Sequence, residues 1–166
     1  MYIGTQDLLK QYDAYLLEHG YQIEELVNLA SDALLNHFTK YNRFAILIGP
    51  GNNGADGYSL GLKLEKLRKH VIYYYSGDIG KVSQANRYYR DQCEENHLIY
   101  VDEDNINTIN WNDYDCIVDG LFGFGLNSAP RGMYKIIIES IMNHYNGTIG
   151  AIDIPTGLDC NTGKAY

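Results

Sequence analysis

The chain has 166 residues, of which 45% are hydrophobic and 20% are charged. A chain of this length and composition is expected to fold as one globular domain around a single core. Its net charge of −8 argues against electrostatic binding to nucleic acid or to an anionic membrane. The sequence shows neither a secretory leader nor a transmembrane run, and its three cysteines have no CxxC spacing. These features predict a cytoplasmic protein without a zinc site or a disulfide framework.

The first forty residues predict two amphipathic helices. Apolar residues recur at helical spacing in both segments, and His19-Gly20 separates them as a stop signal. Two helices before the first strand are expected either to cover a face of the sheet or to supply a dimer contact. The first apolar stripe comprises Leu8, Tyr12, Tyr15 and Leu16, and the second comprises Ile23, Leu26, Val27, Ala30, Leu34 and Phe38.

From Arg43 onward, strand and helix patterns alternate. This rhythm predicts a parallel, doubly wound α/β sheet with right-handed crossovers. Ser83 is expected to be the N-cap of the second crossover helix. The predicted strands cover 44–48, 71–75, 98–101, 116–119 and 148–152, the predicted helices cover 56–69, 83–96 and 133–145, and a polar loop spans 102–112.

Glycine-rich and polar clusters follow three of the predicted strands. They begin at Gly49, Asp119 and Asp153. Because the carboxyl ends of parallel strands meet at one edge of a sheet, we expect the three clusters to converge there. The first cluster also satisfies the Gly-x-Gly-x-x-Gly dinucleotide fingerprint, whose glycines permit positive φ and the close approach of a ligand. The sequence therefore predicts a ligand site beside a helix N-terminus that suits an anion.

Oxygen-bearing side chains at this edge favour a cation site and proton transfer. Asp119 and Asp153 each end a buried strand, where a carboxylate needs a hydrogen bond, a partner charge or a cation. Either carboxylate could instead cap a helix or accept loop N–H groups. Together with Asn53 and Thr156 they make an oxygen-only set, which favours hard metal ions over zinc or copper. One carboxylate could neutralise the cation while the other moves protons.

Two other features at this edge are less specific. The turn Gly123-x-Gly125 could cradle a phosphate, with Arg131 as its counter-ion. Asp56 is expected to begin the helix after the first cluster, where a carboxylate interacts favourably with the helix dipole and acts as a cap.

Taken together, the three clusters resemble those of the YjeF N-terminal domain family, which contains the NAD(P)H-hydrate epimerases. The resemblance lies in residues 49–57 (GPGNNGADG), 119–126 (DGLFGFGL) and 153–158 (DIPTGL). It covers nearly the whole chain and predicts one domain over 1–166, apparently truncated at its C-terminus. The sequence departs from the family pattern at Ala55 and Phe124, where glycine and threonine are usual, and at 27–31 (VNLAS), where a Met-Glu-Asn-Ala-Gly-like segment is usual.

The resemblance implies a Rossmann-like three-layer α/β/α sandwich that commonly forms a homodimer. It implies interconversion of the (R) and (S) forms of NADH hydrate and NADPH hydrate (NADHX and NADPHX), with a separate NAD(P)H-hydrate dehydratase as functional partner. It also implies one bound potassium ion, held by Asn53, Asp119 and Thr156, and makes Asp153 the candidate acid/base. The implied substrate-binding residues are Asn52, Asn53, Gly54, Ala55, Asp56, Gly123, Phe124, Gly125, Leu126, Asn127, Ser128, Ala129 and Asp153.

Two other functions remain open on the sequence. A non-catalytic nucleotide-binding or dimerising scaffold module of the same superfamily would keep the pocket without turnover. An NAD(P)-dependent oxidoreductase would match the literal fingerprint, with Asp78 contacting a ribose. The oxidoreductase predicts hydride transfer with a change in the absorbance of the reduced cofactor, whereas the epimerase does not.

Overall fold

A computed structural model describes residues 5–166, which form a five-stranded sheet between two layers of helices. The strands are β1 (Arg43–Ile48), β2 (His70–Tyr75), β3 (Leu98–Tyr100), β4 (Cys116–Gly120) and β5 (Thr148–Ala151). Their order is β3-β2-β1-β4-β5, and every pairing is parallel, as the alternating pattern predicts. The helices are α1 (Gln6–Glu18), α2 (Ile23–Phe38), α3 (Asn52–Lys66), α4 (Gln84–Arg90) and α5 (Met133–His144).

The central strand β1 divides its side chains between two cores, because successive residues of a strand point to opposite faces. Phe44 and Ile46 pack into the core under α2, α3 and α4, and Ala45 and Leu47 pack into the core under α5. The polar loop between β3 and β4 contains two 3-10 turns that bury Ile106 and Trp111 in the second core. The predicted three-layer α/β/α sandwich is confirmed.

The helix after β1 begins earlier than its sequence pattern predicts. Its N-cap is Gly51, so the segment Asn52–Asp56 is helical, and Asp56 lies in the helix rather than at its start. The prediction that Asp56 caps this helix is therefore wrong. The helix ends at Lys66, because Arg68 adopts a left-handed φ of 61°. Ala55 has no positive φ and is fully buried, which explains why alanine is tolerated at this position.

The second crossover helix is shorter than predicted. Ser83 is its N-cap, as predicted, and accepts a hydrogen bond from the Asn86 N–H at 3.2 Å. The helix ends at Arg90 instead of continuing to residue 96, and a 3-10 turn at Glu95–His97 leads into β3. Residues 91–96 are exposed and polar apart from Cys93, so they offer no apolar face to pack on the sheet.

The two leading helices have different environments. The stripe of α2 is anchored by the buried residues Val27 and Phe38, whereas α1 has no buried residue. Leu8 and Tyr12 of α1 are 57% and 60% exposed, so the expectation that this stripe covers a face of the sheet is wrong. Among the helices of residues 5–166, none has the length and hydropathy needed to cross a membrane.

Candidate functional site

The carboxyl ends of β1, β4 and β5 open into one cavity of about 780 Å³. It lies where the strand order reverses, between β1 and β4, the position at which doubly wound sheets usually bind ligands. The three loop clusters thus converge, as their strand positions predict. Helices α1 and α2 complete the wall with apolar side chains, among them Leu9, Leu26 and Leu34.

Two glycines of the first cluster, Gly49 and Gly54, are needed for close packing rather than for positive φ. Gly49, Gly51 and Gly54 are absent from the positive-φ residues of the described chain, so that part of the sequence interpretation is wrong. A Cβ at Gly49 would lie 1.6 Å from the Leu121 carbonyl oxygen, and one at Gly54 would lie 2.0 Å from the Gly49 carbonyl oxygen. The Gly49 N–H donates to the Gly120 carbonyl at 3.0 Å. These contacts hold the ends of β1 and β4 together beneath the cavity.

The N-terminus of α3 opens into the cavity. Its N-cap Gly51 makes no side-chain capping hydrogen bond, and Gly51, Asn52 and Asn53 line the cavity. Free N–H groups and the helix dipole at such a terminus suit an anionic group. Because no lysine, arginine or histidine is among the described lining residues, this helix end is the main source of positive potential in the wall.

Two charged residues that the sequence analysis assigns to ligand contacts lie outside the cavity wall. Arg131, expected as a phosphate counter-ion, is exposed and is not part of the cavity wall. Asp78, expected to contact a ribose in an oxidoreductase, is instead the N-cap of the 3-10 turn Ile79–Lys81 and accepts from the Gly80 N–H at 2.9 Å. The other carboxylate oxygen of Asp78 pairs with Lys81, and the residue lies outside the cavity wall, which removes the support for a dehydrogenase-type ribose contact.

Asp119 joins the end of β4 to the loop after β5. Its two carboxylate oxygens accept hydrogen bonds from the Thr156 hydroxyl at 2.8 Å, the Thr156 N–H at 2.7 Å and the Leu121 N–H at 3.1 Å. Burial raises the pKa of Asp119 above its ordinary value, and the three hydrogen bonds partly oppose that shift. The alternative that this carboxylate accepts loop N–H groups is therefore realised, and no described residue forms a salt bridge with it.

Asp153 joins the loop after β5 to the loop after β4. Its Oδ2 atom accepts a hydrogen bond from the Phe124 N–H at 2.7 Å, and the residue is exposed within the cavity wall. The prediction that Asp153 ends a buried strand is wrong, because β5 ends at Ala151 and is itself partly exposed at the edge of the sheet. A Cβ at position 123 would lie 2.5 Å from Asp153 Oδ2 and 3.4 Å from Asn53 Oδ1, so any larger residue there would displace the Asp153 carboxylate. The Phe124–Asp153 hydrogen bond thus joins the second cluster to the third and leaves the Asp153 carboxylate accessible from the cavity.

The wall also contains two further carboxylates near Asp153. Asp56 projects from α3 and Asp13 from α1. Burial and, to a smaller extent, the charges of Asp153 and Asp13 together raise the pKa of Asp56 to about 7. Burial and the charge of Asp153 also raise the pKa of Asp13. Sequence reasoning missed Asp13; its position one helical turn after Leu9 was the available signal that both residues share a face.

The raised pKa of Asp56 makes the stability of the protein depend on pH. A carboxyl whose folded-state pKa exceeds its unfolded value of 3.8 costs nothing while protonated, and it destabilises the fold progressively as pH rises toward about 7. We therefore expect Asp56→Asn to stabilise the protein relative to wild type, by about 2–3 kcal/mol more at pH 8 than at pH 5. Urea unfolding at the two pH values measures this difference.

The matched control for this prediction is Asp91→Asn. Asp91 is exposed at the C-terminal end of α4, so its replacement should alter stability by about 0.5 kcal/mol or less at either pH. An Asp56→Asn protein whose stability difference from wild type is the same at pH 5 and pH 8 would contradict the prediction.

The cavity brings together most, but not all, of the residues that the sequence assigns to substrate binding. Gly54 and Ala55 are buried in the packing of α3 rather than exposed to the cavity, and Ser128 and Ala129 lie outside its wall. A substrate contact by these four residues stays a prediction. The predicted residues that do line the cavity are Asn52, Asn53, Asp56, Gly123, Phe124, Gly125, Leu126, Asn127 and Asp153.

The residues assigned to a potassium ion lie at the base of the same loops. Asp119 and Thr156 are directly hydrogen-bonded, and the Asn53 side-chain amide has a buried Nδ2 atom with no hydrogen-bond partner in the described structure. The unpaired Nδ2 atom is a hydrogen-bond donor and cannot bind a cation, so the fit depends on oxygen atoms alone. The buried Asp119 carboxylate, which has no counter-charge among the described residues, and the Thr156 hydroxyl are oxygen donors that suit a hard cation. Within residues 5–166 no group of three His, Cys, Asp or Glu side chains could hold a metal, so the fit is to amide, hydroxyl and carboxylate oxygens.

Comparison with known proteins relates this architecture to one family. A sequence profile described as YjeF-related protein N-terminus matches residues 23–166. A relative from Anaerococcus prevotii named NAD(P)H-hydrate epimerase is 34% identical over 148 residues, covering 85% of this chain and 67% of that protein. A relative of the same name from Leuconostoc citreum is 30% identical over 171 residues, covering 99% of this chain and 73% of that protein.

The fold has a counterpart among solved structures. The crystal structure of yeast ynu0 superposes with a TM-score of 0.81 at 24% identity, covering 96% of this chain and 72% of that one. The family profile contains every strand of the sheet and every helix except α1. This chain is therefore a member of the YjeF-related protein N-terminus family.

Proposed function

We propose that this protein is an isomerase that interconverts the (R) and (S) epimers of NADH hydrate and NADPH hydrate. The observation that carries the proposal is the cavity at the ends of β1, β4 and β5, in which an accessible carboxylate, Asp153, faces a wall that includes the open N-terminus of α3. The name NAD(P)H-hydrate epimerase, borne by relatives that align with 85% to 99% of the chain, supports the same reaction.

The chemistry needs groups that donate and accept protons. Epimerising the hydrated carbon of the nicotinamide ring requires loss and return of the hydroxyl, or opening and closing of the ring, and each route transfers protons. Asp153 accepts a backbone hydrogen bond through Oδ2 alone, so Oδ1 is available to a substrate hydroxyl. The α3 N-terminus would bind the diphosphate through its N–H groups, and the apolar side chains of Leu26 and Leu34 would pack on the rings.

The direct test is epimer exchange. Purified protein in potassium buffer is added to isolated (S)-NADHX, and the appearance of the (R) epimer is followed by chromatography against the spontaneous rate. The proposal expects acceleration that is proportional to protein concentration. A folded protein that gives no acceleration would overturn the epimerase proposal and favour the non-catalytic module.

The potassium ion is a separate part of this proposal. Asn53, Asp119 and Thr156 would hold it, and the ion would supply positive charge next to the substrate's anionic oxygens. We expect the melting temperature of the protein to be higher in potassium chloride than in choline chloride at equal ionic strength, because a ligand that binds only the folded state stabilises it. Asp119→Asn should abolish that difference between salts, whereas Asp91→Asn should keep it. Equal melting temperatures of the wild type in both salts would contradict a potassium site.

The cellular setting follows from the reaction. An epimerase produces the epimer that a stereospecific NAD(P)H-hydrate dehydratase consumes, so we propose such a dehydratase as its functional partner in metabolite repair in the cytoplasm. We also propose that the protein forms a homodimer.

The exposed apolar stripe of α1, which includes Leu8 and Tyr12, supports this assembly, because covering exposed apolar side chains with a second protein surface is energetically favourable. Sedimentation of the purified protein distinguishes a dimer from a monomer.

A further inference from the structure

The three cavity carboxylates come from three separate elements. Asp13 lies on α1, Asp56 on α3 and Asp153 after β5, and all three line the same cavity. None of them forms a salt bridge in the described structure, and the three are not arranged as a metal-binding group. Three carboxylates in one cavity repel one another and would also repel an anionic substrate. Such an unfavourable arrangement is typical of functional sites, so we expect at least one of the three to take part in the chemistry.

Asp56 and Asp153 differ in the environments that the fold gives them. Asp153 is exposed and held by the Phe124 N–H, whereas Asp56 is partly buried on the wall that α3 contributes. The elements packed around Asp56 present three titratable groups to it: Asp13, Asp153 and Tyr89 of α4. The Tyr89 hydroxyl donates to the Glu24 carbonyl at 2.7 Å, so it offers Asp56 no counter-charge.

We propose that Asp56 is a second catalytic residue of the epimerase, which works with Asp153 as a pair of carboxyl groups that share one proton. This inference rests on the proposed function. Of the two routes to the opposite epimer, we propose loss and return of the hydroxyl, in which the hydroxyl leaves on one face of the carbon and returns on the other. A single carboxyl group reaches only one face, whereas Asp56 and Asp153 approach the cavity from two different elements.

The step runs by elimination and addition of water. The protonated carboxyl donates its proton to the hydroxyl of the hydrated carbon, the C–O bond breaks, and water leaves. The lone pair of the ring nitrogen forms a C=N bond to the same carbon, which becomes planar. A water molecule then adds to the opposite face and gives its proton to the ionised carboxylate. The proton has moved from one aspartate to the other, and the opposite epimer reacts with the roles exchanged.

The raised pKa of Asp56 supports the assignment, because a carboxyl group with a pKa of about 7 carries a proton in a large fraction of molecules near neutral pH. A protonated Asp56 is the proton donor that the step requires. Two fully ionised carboxylates could not donate, and two protonated ones could not accept.

The test compares wild type, Asp56→Asn and the matched control Asp91→Asn in epimer exchange under saturating potassium. We expect Asp56→Asn to lower kcat about 100-fold or more with KM changed less than about fivefold, while Asp91→Asn keeps the wild-type rate. In wild type, kcat/KM should fall as pH rises through about 7, because Asp56 loses the proton it must donate. Urea unfolding shows whether the Asp56→Asn protein is folded.

Labelled water supplies a second readout. Elimination and addition place oxygen from H2(18)O in the product at every turnover, so wild type should incorporate the label in step with epimerisation above the spontaneous rate. A folded Asp56→Asn protein with an unchanged kcat, or wild-type turnover that retains the original oxygen, would overturn this inference while leaving the epimerase itself intact. A wild type that gives no exchange contradicts the proposed function instead.

Discussion

Asp153→Asn is expected to lower the rate of epimer exchange by about 100-fold to 10,000-fold, the usual contribution of one acid/base group. The substitution replaces a carboxylate by an amide of nearly the same shape, which is too weak an acid and too weak a base to transfer protons in the reaction. The amide oxygen can still accept the Phe124 N–H that Asp153 binds at 2.7 Å, so the loops after β4 and β5 stay joined. The loss is measured as kcat/KM for conversion of (S)-NADHX to the (R) epimer.

Two controls separate this loss from damage to the fold. The free energy of unfolding of Asp153→Asn should stay within about 1 kcal/mol of wild type, because the residue is exposed and its hydrogen bond can be replaced. Asp91→Asn removes an equivalent exposed carboxylate outside the cavity and should keep full activity. An Asp153→Asn protein with the wild-type rate would exclude Asp153 as the acid/base.

Gly49→Ala is expected to destabilise the protein by more than about 3 kcal/mol, at the upper end of the cost of overpacking. The new Cβ would lie 1.6 Å from the carbonyl oxygen of Leu121 and 2.5 Å from its carbonyl carbon. Both are backbone atoms, so no side-chain rotation relieves the overlap, and β1 must move away from the end of β4. The Gly49 N–H would then lose its 3.0 Å hydrogen bond to Gly120. Urea unfolding at pH 7 measures the change.

Gly51→Ala is the matched control within the same turn. Gly51 has a φ of −93°, which any residue adopts, and no atom lies within 4 Å of a Cβ placed there. We expect a change of about 1 kcal/mol or less, the usual cost of alanine in place of glycine at an N-cap. If both glycine variants lost the same stability, the close approach of Gly49 to Leu121 would not be the reason for glycine at position 49.

The strands and the meeting point of their loops were predictable from local sequence. Apolar runs of five residues separated by amphipathic helices require parallel strands, and parallel strands end at the same edge. The clusters that begin at Gly49, Asp119 and Asp153 therefore had to be neighbours, whatever the details of their contacts. The role of Ser83 as the N-cap of α4 was also predictable, since a serine before a helical segment accepts a hydrogen bond from a backbone N–H of the first turn. These inferences need only hydrogen-bonding rules and spacing along the chain.

Local sequence gave a wrong start for α3, because the glycine and asparagine residues before Asp56 are part of the packed helix and not of a loop. The local pattern predicts that residues 52–55 are part of a loop, because glycine and asparagine disfavour helix, yet they form the first turn of α3. The helical conformation is favoured because Gly54 packs closely against the Gly49 carbonyl and Ala55 is fully buried in the core. Contacts of that kind outweigh a propensity of less than about 1 kcal/mol per residue.

The sequence by itself determined the sheet, the edge at which the ligand site lies and the presence there of two carboxylates, Asp119 within the last residues of β4 and Asp153 in the loop after β5. Only the tertiary structure decided that Asp119 is satisfied by Thr156 and that Asp13 joins the cavity wall from α1. The same holds for the raised pKa of Asp56. A pKa depends on burial and on charges within a few ångströms, and here those charges come from residues 43 and 97 positions away in the chain. Neither periodicity nor a local motif predicts how close such remote residues lie in the folded protein.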